Sequence, residues 1–280
     1  MTPNARIAAA IVVLDAVLAG QPAEQALLRW SRGARYAGSG DRAAVRDLVF
    51  DSLRRLRSRA ALGGAMTGRG LMLGALHEGG ADPAAVFTGR GHDPAPLIPG
   101  EGGEPAEGAA ALDLPEWLVP LWTDSLGTEA EAIAALMRDR APVWLRVNAR
   151  KADPVQAIAA LADDGITATP HDNLPTALRV TAGERRIAVS SAYANGLVEL
   201  QDLSPQLACA ALPLRDGDRV LDYCAGGGGK ALALAGRAAV RMTAYDADPA
   251  RMRDLPTRAD RAGVRIAVTG RPEGMFDLVV

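Results

Sequence analysis

The chain of 280 residues has few of the side chains that stabilise secreted domains or bind metal ions. It has two cysteines, Cys209 and Cys224, and three scattered histidines, His77, His92 and His171. Two cysteines form no disulfide framework, so we expect a reducing compartment, the cytoplasm. The histidines have no ligand spacing, so we expect no metal site. No apolar run approaches the roughly 20 residues that cross a bilayer, so we expect no membrane segment.

Lysine is also scarce, and arginine carries nearly all the positive charge. Lys151 and Lys230 are the only lysines, whereas residues 1–60 hold ten arginines against five acids in a chain of net charge −2. These arginines can be solvated helix faces, or they can form a patch that faces phosphate, because the planar guanidinium binds phosphate well. Only Trp30 and Tyr36 interleave with them as aromatic residues, and both interpretations stay open.

Hydrophobic periodicity divides the chain into four segments. Residues 1–88 have helical spacing throughout, including one long helix over 39–64, and predict an all-helical bundle. Residues 89–111 are rich in Gly, Pro and Glu, which is typical of a linker or a mobile loop. Residues 112–203 predict a small α/β layer with two helices, a further helix after an Asp-Pro start, and four strands. The strands are predicted at Val143–Asn148, 166–170, 177–181 and 185–190.

Residues 204–280 alternate strands with helices after a first helix that starts at Ser204. This alternation predicts a parallel sheet with right-handed crossovers, in which the fourth strand, "FDLVV", lies on the far side of the first. Pro256 is expected to kink or interrupt the helical segment 249–263. The predicted fold class is α/β.

The most specific feature is the segment "RVLDYCAGGGGKALALAG", residues 219–236. A Walker phosphate loop is excluded, because Cys224 stands where its first glycine belongs and Ala231 cannot bind magnesium. A dinucleotide fingerprint matches at Gly226, Gly228 and Ala231, with Asp246 twenty residues after Gly226. A site for S-adenosylmethionine (SAM) fits equally, because glycines let a ligand approach the backbone and Asp246 can accept ribose hydroxyls. Local spacing does not separate the last two sites.

Several motifs in one order add a resemblance to a known family. "LDYCAGGGGK" resembles the L-D-x-C-A-x-x-G-G-K signature of the RsmB/NOP family of RNA 5-methylcytosine methyltransferases. "LPEWL", "WLRVNARK" and "GLVELQDLSPQLACAAL" resemble that family's upstream elements, and the helical, arginine-rich start is similar to its NusB-like RNA-binding domain. The resemblance implies a NusB-like bundle, a small α/β RNA-binding subdomain and a partial Rossmann-like SAM methyltransferase sheet, in a monomer that acts on ribosomal or transfer RNA.

The resemblance also implies the site residues. Nine residues are expected to bind SAM: Cys224, Ala225, Gly226, Gly227, Gly228, Gly229, Lys230, Asp246 and Arg251. Four residues are expected to contact RNA: Arg42, Arg46, Arg146 and Asn148. Asp222 is expected either to position the loop or to approach the methionine amino group. The family usually has Ala-Pro where this chain has Gly226–Gly227, and the extra glycine is expected to loosen the loop.

In the resembled family a cysteine thiolate adds to cytosine C6, so that C5 attacks the SAM methyl group, and a second cysteine assists product release. The motifs that carry both cysteines are expected beyond Val280, so no catalytic residue is assigned and the chain alone is expected to be inactive. Cys209 is expected to be a core thiol and Cys224 to line the cofactor pocket. Two alternatives stay open: a non-catalytic RNA-binding protein with a vestigial SAM fold, and an NAD-type oxidoreductase.

Overall fold

The computed structural model describes residues 1–280, which form two compact units, Met1–Ala141 and Pro142–Val280. The expected segments 1–88, 89–111, 112–203 and 204–280 divide the chain more finely and stay a prediction. By their contacts, residues 112–141, which are expected to begin the α/β layer, group with the helices that precede them.

The first unit is helical, as the periodicity predicts, and contains no strand. Its helices are α1 (Pro3–Leu18), α2 (Ala23–Gly33), α3 (Ser39–Arg54), α4 (Leu56–Leu62), α5 (Gly68–Glu78), α6 (Gly108–Ala111), α7 (Val119–Leu126) and α8 (Ala130–Met137). Helix α1 packs against α2, α3 and α5. Their apolar faces bury Leu14, Val45, Val49 and Leu71 completely, and this burial is the main stabilising contribution of the unit.

The single helix predicted over 39–64 is broken at Arg55, whose φ of −117° and ψ of 37° are not helical. Helix α4 starts again directly after this residue, because Asp113 supplies the cap. Its Oδ1 accepts the backbone N–H groups of Arg57 and Ser58, each at 2.9 Å. A capping acid more than fifty residues away is invisible to local periodicity, which explains why the prediction was wrong.

The glycine-rich segment 89–111 is held against α4 and α5. Arg69 donates to the carbonyl oxygens of Ala95 and Pro96, each at 2.9 Å, and forms an ion pair with Glu101. The backbone N–H of Gly103 donates to the carbonyl of Leu62 at 2.9 Å. The segment therefore contacts the helices of its own unit, and its role as a linker or mobile loop stays a prediction.

The second unit begins with a four-stranded antiparallel sheet of order β2-β3-β1-β4. Its elements are β1 (Val143–Val147), α9 (Pro154–Asp163), β2 (Thr167–His171), β3 (Leu174–Ala182), α10 (Ser191–Ala194) and β4 (Val198–Leu200). The strand predicted at 185–190 is instead a 3₁₀ turn, Glu184–Val189, because Gly183 is left-handed and turns the chain so that Ile187 is buried. Strand β4 was missed, since three residues carry no readable alternation.

The remainder of the second unit is a parallel sheet of order β7-β6-β5-β8. Its elements are α11 (Leu203–Ala211), β5 (Arg219–Asp222), α12 (Gly229–Arg237), β6 (Arg241–Ala244), α13 (Leu255–Ala262), β7 (Ile266–Val268) and β8 (Leu278–Val279). The α/β fold class and the place of the fourth strand beside the first are confirmed. Pro256 lies in the first turn of α13, after a 3₁₀ turn at Pro249–Met252. None of the helices has the length and apolar character needed to span a membrane.

Close packing of α4 against α5 depends on glycine. A Cβ atom at Gly74 would lie 2.1 Å from the carbonyl oxygen of Arg59, and one at Gly70 would lie 2.1 Å from that of Ala65. Such distances are far below van der Waals contact, so the two backbones can approach this closely only where no side chain intervenes.

We predict that Gly74→Ala destabilises the first unit by about 1–3 kcal/mol, because the added methyl group would push α4 and α5 apart. Gly40→Ala is the matched control, since a Cβ at Gly40 in α3 meets nothing within 4 Å. The control should be neutral or stabilise by up to about 1 kcal/mol, because alanine favours the helix. Urea unfolding measures both values, and equal effects of the two substitutions would contradict the packing argument.

Candidate cofactor site at the glycine loop

The loop after β5 has a backbone that only glycine adopts readily. Gly226 has a φ of +47° and Gly228 a φ of +82°, both in the left-handed region. A Cβ at Gly228 would also lie 2.1 Å from Cδ1 of Leu255, which α13 places against the loop. The loop therefore needs glycine at Gly228 for two reasons, its conformation and its packing.

Asp246 follows β6 and binds the loop directly. Its Oδ2 accepts the backbone N–H of Gly226 at 2.9 Å, and its Oδ1 accepts that of Asp248 at 3.0 Å. Arg251 forms an ion pair with Oδ2 at 3.2 Å. The pKa of Asp246 is lowered, first by the Asp248 N–H and then by the Gly226 N–H and Arg251. The carboxylate is therefore ionised at neutral pH and lies at the carboxyl edge of the sheet.

A second carboxyl group, Asp222 at the end of β5, is completely buried below the loop. Its Oδ2 accepts the backbone N–H of Ala231 at 3.1 Å, which anchors the first turn of α12. Its Oδ1 has no hydrogen-bond partner, and the nearest cation is Nζ of Lys230 at 3.6 Å. Burial raises the pKa of Asp222, and Lys230 opposes that rise. An unpartnered buried acceptor at this place can receive a donor or a cation from a ligand.

The predicted cofactor residues meet at the carboxyl ends of β5 and β6. Ala225 donates its backbone N–H to Tyr245 at 2.9 Å and joins the two strand ends. Cys224 is exposed, whereas Cys209 is buried in α11, where burial raises the pKa of its thiol. The six contiguous positions Cys224, Ala225, Gly226, Gly227, Gly228 and Gly229 form the loop and its junction with α12.

Two residues that were expected to face RNA serve inside the second unit instead. Asn148 is buried, and its amide nitrogen donates to the carbonyl oxygens of Gly196 at 3.0 Å and Ala262 at 2.8 Å. Its side-chain oxygen accepts the N–H of Arg150 at 3.2 Å. Arg146 is half-buried and donates to Gln201 and, at 3.0 Å, to the carbonyl of Gly229. Both polar atoms of Asn148 thus have partners within the unit, and contact of Arg146 and Asn148 with RNA stays a prediction.

Arg146 keeps its charge in this setting. Burial lowers its pKa to about 10, with Glu199 acting in the opposite direction. The group is therefore still a cation at neutral pH, and its donors remain available to the carbonyl oxygens of the second unit.

Sequence reasoning missed the residues that hold the loop from outside. Glu199 on β4 is buried and pairs with Arg258 at 3.3 Å and Arg261 at 2.8 Å. Arg258 in turn donates to the carbonyl oxygen of Gly227. No local signal identifies Arg258, because it is one of two arginines in a short polar helix.

The arginines of residues 1–60 divide into two groups in the first unit. Half are engaged in ion pairs: Arg6, Arg54, Arg55, Arg57 and Arg59. The other half are exposed on α2, on the following turn and on α3: Arg29, Arg32, Arg35, Arg42 and Arg46. Only Arg46 among these approaches an acid, Asp47, at 3.9 Å. Tyr36 is also exposed on the turn between the two helices.

Comparison with known proteins agrees with the motifs. Residues 114–185 match the model of the ferredoxin-like domain of RsmF/B-like methyltransferases. The chain is 38% identical over 166 residues to the ribosomal RNA small subunit methyltransferase B of Xanthomonas campestris pv. campestris, which is 58% of this chain and 37% of that protein. It is 34% identical over 155 residues to a probable enzyme of the same name from Bacillus subtilis, 54% of this chain and 34% of that protein.

The fold has relatives among solved structures. The crystal structure of PH0851 has a TM-score of 0.69 at 20% identity and covers 97% of this chain and 70% of that chain. A methyltransferase homolog from Pyrococcus horikoshii has a TM-score of 0.53 at 23% identity over 58% of this chain and 54% of that chain. The chain spans little more than a third of the length of its curated relatives. Within the residues that these matches cover, the family resemblance carried by the motifs is confirmed.

Proposed function

We propose that this chain forms the cofactor-binding part of a SAM-dependent methyltransferase that acts on cytosine C5 of ribosomal RNA as a cytoplasmic monomer. The observation that carries the proposal is the buried Asp222 with its unpartnered oxygen beside the glycine loop. The names of the curated relatives support ribosomal RNA over transfer RNA. The cytosine target rests on the motif "LDYCAGGGGK".

The charge of the site separates SAM from a dinucleotide. NAD would bring a pyrophosphate to the glycine loop, and Asp222 would oppose that negative charge at close range. SAM has no phosphate, and its methionine end carries an ammonium group that Oδ1 of Asp222 can accept. A buried carboxylate oxygen that accepts no hydrogen bond thus favours a cationic ligand over an anionic one.

The residues on the sheet edge fit such a ligand. Asp246 presents an ionised carboxylate for ribose hydroxyls, and Arg251, whose side chain is 62% exposed, can move aside to admit them. A Cβ at Gly226 would lie 3.5 Å from Arg251 and 3.9 Å from Asp246, so glycine leaves open the space that faces both side chains. When bound, SAM supplies a methyl group on a sulfonium ion, which is the electrophile of the transfer.

Neither Cys209 nor Cys224 is assigned as the nucleophile. A nucleophilic thiol needs an accessible position and a stabilised thiolate. Cys209 is buried, and burial raises its pKa, which disfavours the thiolate. Cys224 is exposed, but it belongs to the loop that surrounds the cofactor. We therefore infer that residues 1–280 bind cofactor and RNA but do not transfer the methyl group by themselves.

The exposed arginines of α2 and α3 are the proposed RNA-binding surface. Half of the arginines in residues 1–60 are neutralised by acids, so the other, exposed half carries the excess positive charge. Arg42 and Arg46 are one helical turn apart on α3 and both are exposed. This spacing places them on one face, where they can contact neighbouring phosphates.

Isothermal titration with SAM and with NAD tests the cofactor assignment. We expect SAM but not NAD to bind. Asp246→Asn should lower the affinity for SAM about tenfold to a hundredfold, because a charge-assisted hydrogen bond is removed. Asp260→Asn, at an exposed position of α13, is the control and should bind SAM as the parent chain does. Tighter binding of NAD than of SAM would refute the assignment.

The raised pKa of Asp222 predicts a pH dependence of SAM binding. A carboxyl whose pKa is raised becomes an anion only as the pH rises through that value, so its attraction for a cationic ligand grows with pH. We expect SAM affinity to increase as the pH rises above the usual pKa of an aspartic acid, about 3.9. In titrations at a series of pH values, Asp222→Asn should abolish this increase of SAM affinity with pH. An unchanged increase would show that another group titrates.

Charge reversal tests the RNA surface. We expect Arg42→Glu with Arg46→Glu to weaken binding of a fluorescein-labelled RNA stem-loop. The slope of the logarithm of the binding constant against the logarithm of salt concentration should become shallower. The expected change is about 0.7–0.9 for each phosphate that the protein no longer neutralises. Arg90→Glu with Arg140→Glu makes the same change of net charge at two exposed positions outside α2 and α3. Fluorescence anisotropy at several salt concentrations measures both, and equal weakening by the two pairs would mean that net charge alone governs binding.

A further inference from the structure

We propose that Arg258 and Arg146 form a clamp that orders the glycine loop before the cofactor arrives, and that Glu199 is a positioning residue for the site because it holds Arg258 in place. This clamp rests on the proposed SAM site and concerns how the loop of that site is held. The two arginines donate hydrogen bonds to two loop carbonyl oxygens, those of Gly227 and Gly229.

The first contact exists only because position 227 is glycine. Nη1 of Arg258 donates to the carbonyl oxygen of Gly227 and stands 2.6 Å from the place that a Cβ at this residue would occupy. Any side chain at 227 would therefore displace the guanidinium. Glycine at 227 makes this part of the loop more flexible, because it has no side chain. The same lack of a side chain leaves room for the Arg258 guanidinium, which restrains the loop.

Glu199 fixes the other side of the same guanidinium. Its carboxylate is buried, with Oε1 at 3.3 Å from Nη2 of Arg258 and Oε2 at 2.8 Å from Nη2 of Arg261. Arg261 stacks over the ring of Tyr193, 4.0 Å from its centroid. The ion pair with this buried carboxylate leaves the Arg258 side chain little freedom, so Arg258 reaches Gly227 from a fixed direction.

The second contact holds the other end of the loop. Arg146 donates to the carbonyl of Gly229 at 3.0 Å, where α12 begins, and the same nitrogen donates to Gln201. Arg146 lies on β1 and Gln201 directly follows β4. Both arms of the clamp are thus fixed by the antiparallel sheet, which makes the order of the cofactor loop depend on that sheet.

The effect on binding follows from chain entropy. Each glycine that is ordered on binding loses more backbone freedom than another residue would, and a loop ordered beforehand avoids that loss. A chain with four consecutive glycines needs such outside restraint more than a loop with larger residues does. The clamp should therefore act on affinity for the cofactor and on the local mobility of residues 223–231.

Arg258→Gln and Arg261→Gln form a matched pair that tests the clamp. Each removes one ion pair with Glu199, but only Arg258 touches the loop. We expect Arg258→Gln to lower the affinity for SAM about tenfold in calorimetric titration. The same substitution should speed amide hydrogen exchange in residues 223–231. Arg261→Gln should change SAM affinity less than about twofold, a difference of under ~0.4 kcal/mol, and leave loop exchange as it was. Glu199→Gln should resemble Arg258→Gln.

A rescue variant separates loop order from general stability. Proline at 227 restricts the backbone by itself, so Gly227→Pro with Arg258→Gln should recover slow loop exchange and part of the SAM affinity. If Arg258→Gln and Arg261→Gln change affinity and loop exchange equally, the clamp is refuted and Glu199 is only structural. If the parent chain binds no SAM but Arg258→Gln still speeds loop exchange selectively, the proposed function fails and the clamp stands.

Discussion

Four consecutive glycines cannot hold a binding loop in one shape, and the second unit is arranged around that constraint. Left-handed backbone at Gly226 and Gly228 gives the loop its course, but the loop keeps it through contacts from outside. Asp246 accepts a loop N–H from one side, and Leu255 fills the space beside Gly228 from another. Neighbouring residues therefore contribute restraints that the loop's own residues lack.

The fold was predictable where the signal is local. Alternating strands and helices in the last seventy residues identified the parallel sheet, and helical spacing identified the first unit. One error arose where a distant residue decides the local structure, because Asp113 restarts a helix after Arg55. Such tertiary contacts override local propensity. Another arose at Gly183, whose left-handed backbone directly precedes a strand-like sequence that forms a 3₁₀ turn.

The site divides in the same way. The motif identified the loop and the acid at Asp246 because both lie at strand ends, where sequence spacing determines position. It did not identify Glu199 or Arg258, because a buried ion pair between a three-residue strand and a polar helix has no sequence pattern. Arg146 shows most clearly what the sequence motif does not predict. The motif marks it as a functional residue, but the structure makes it a donor to the loop backbone.

The two carboxyl groups at the loop have opposite shifts of pKa, and this difference gives each a separate capacity. Asp246 is surrounded by donors that lower its pKa, so it is an anion at neutral pH. Asp222 is buried without enough donors, and its pKa is raised. A cation that reached Asp222 would relieve this burial and complete its hydrogen bonds, whereas an anion would increase the penalty. Two acids beside one loop, distinguished by their partners, thus favour a ligand with hydroxyl groups at one end and a positive charge at the other.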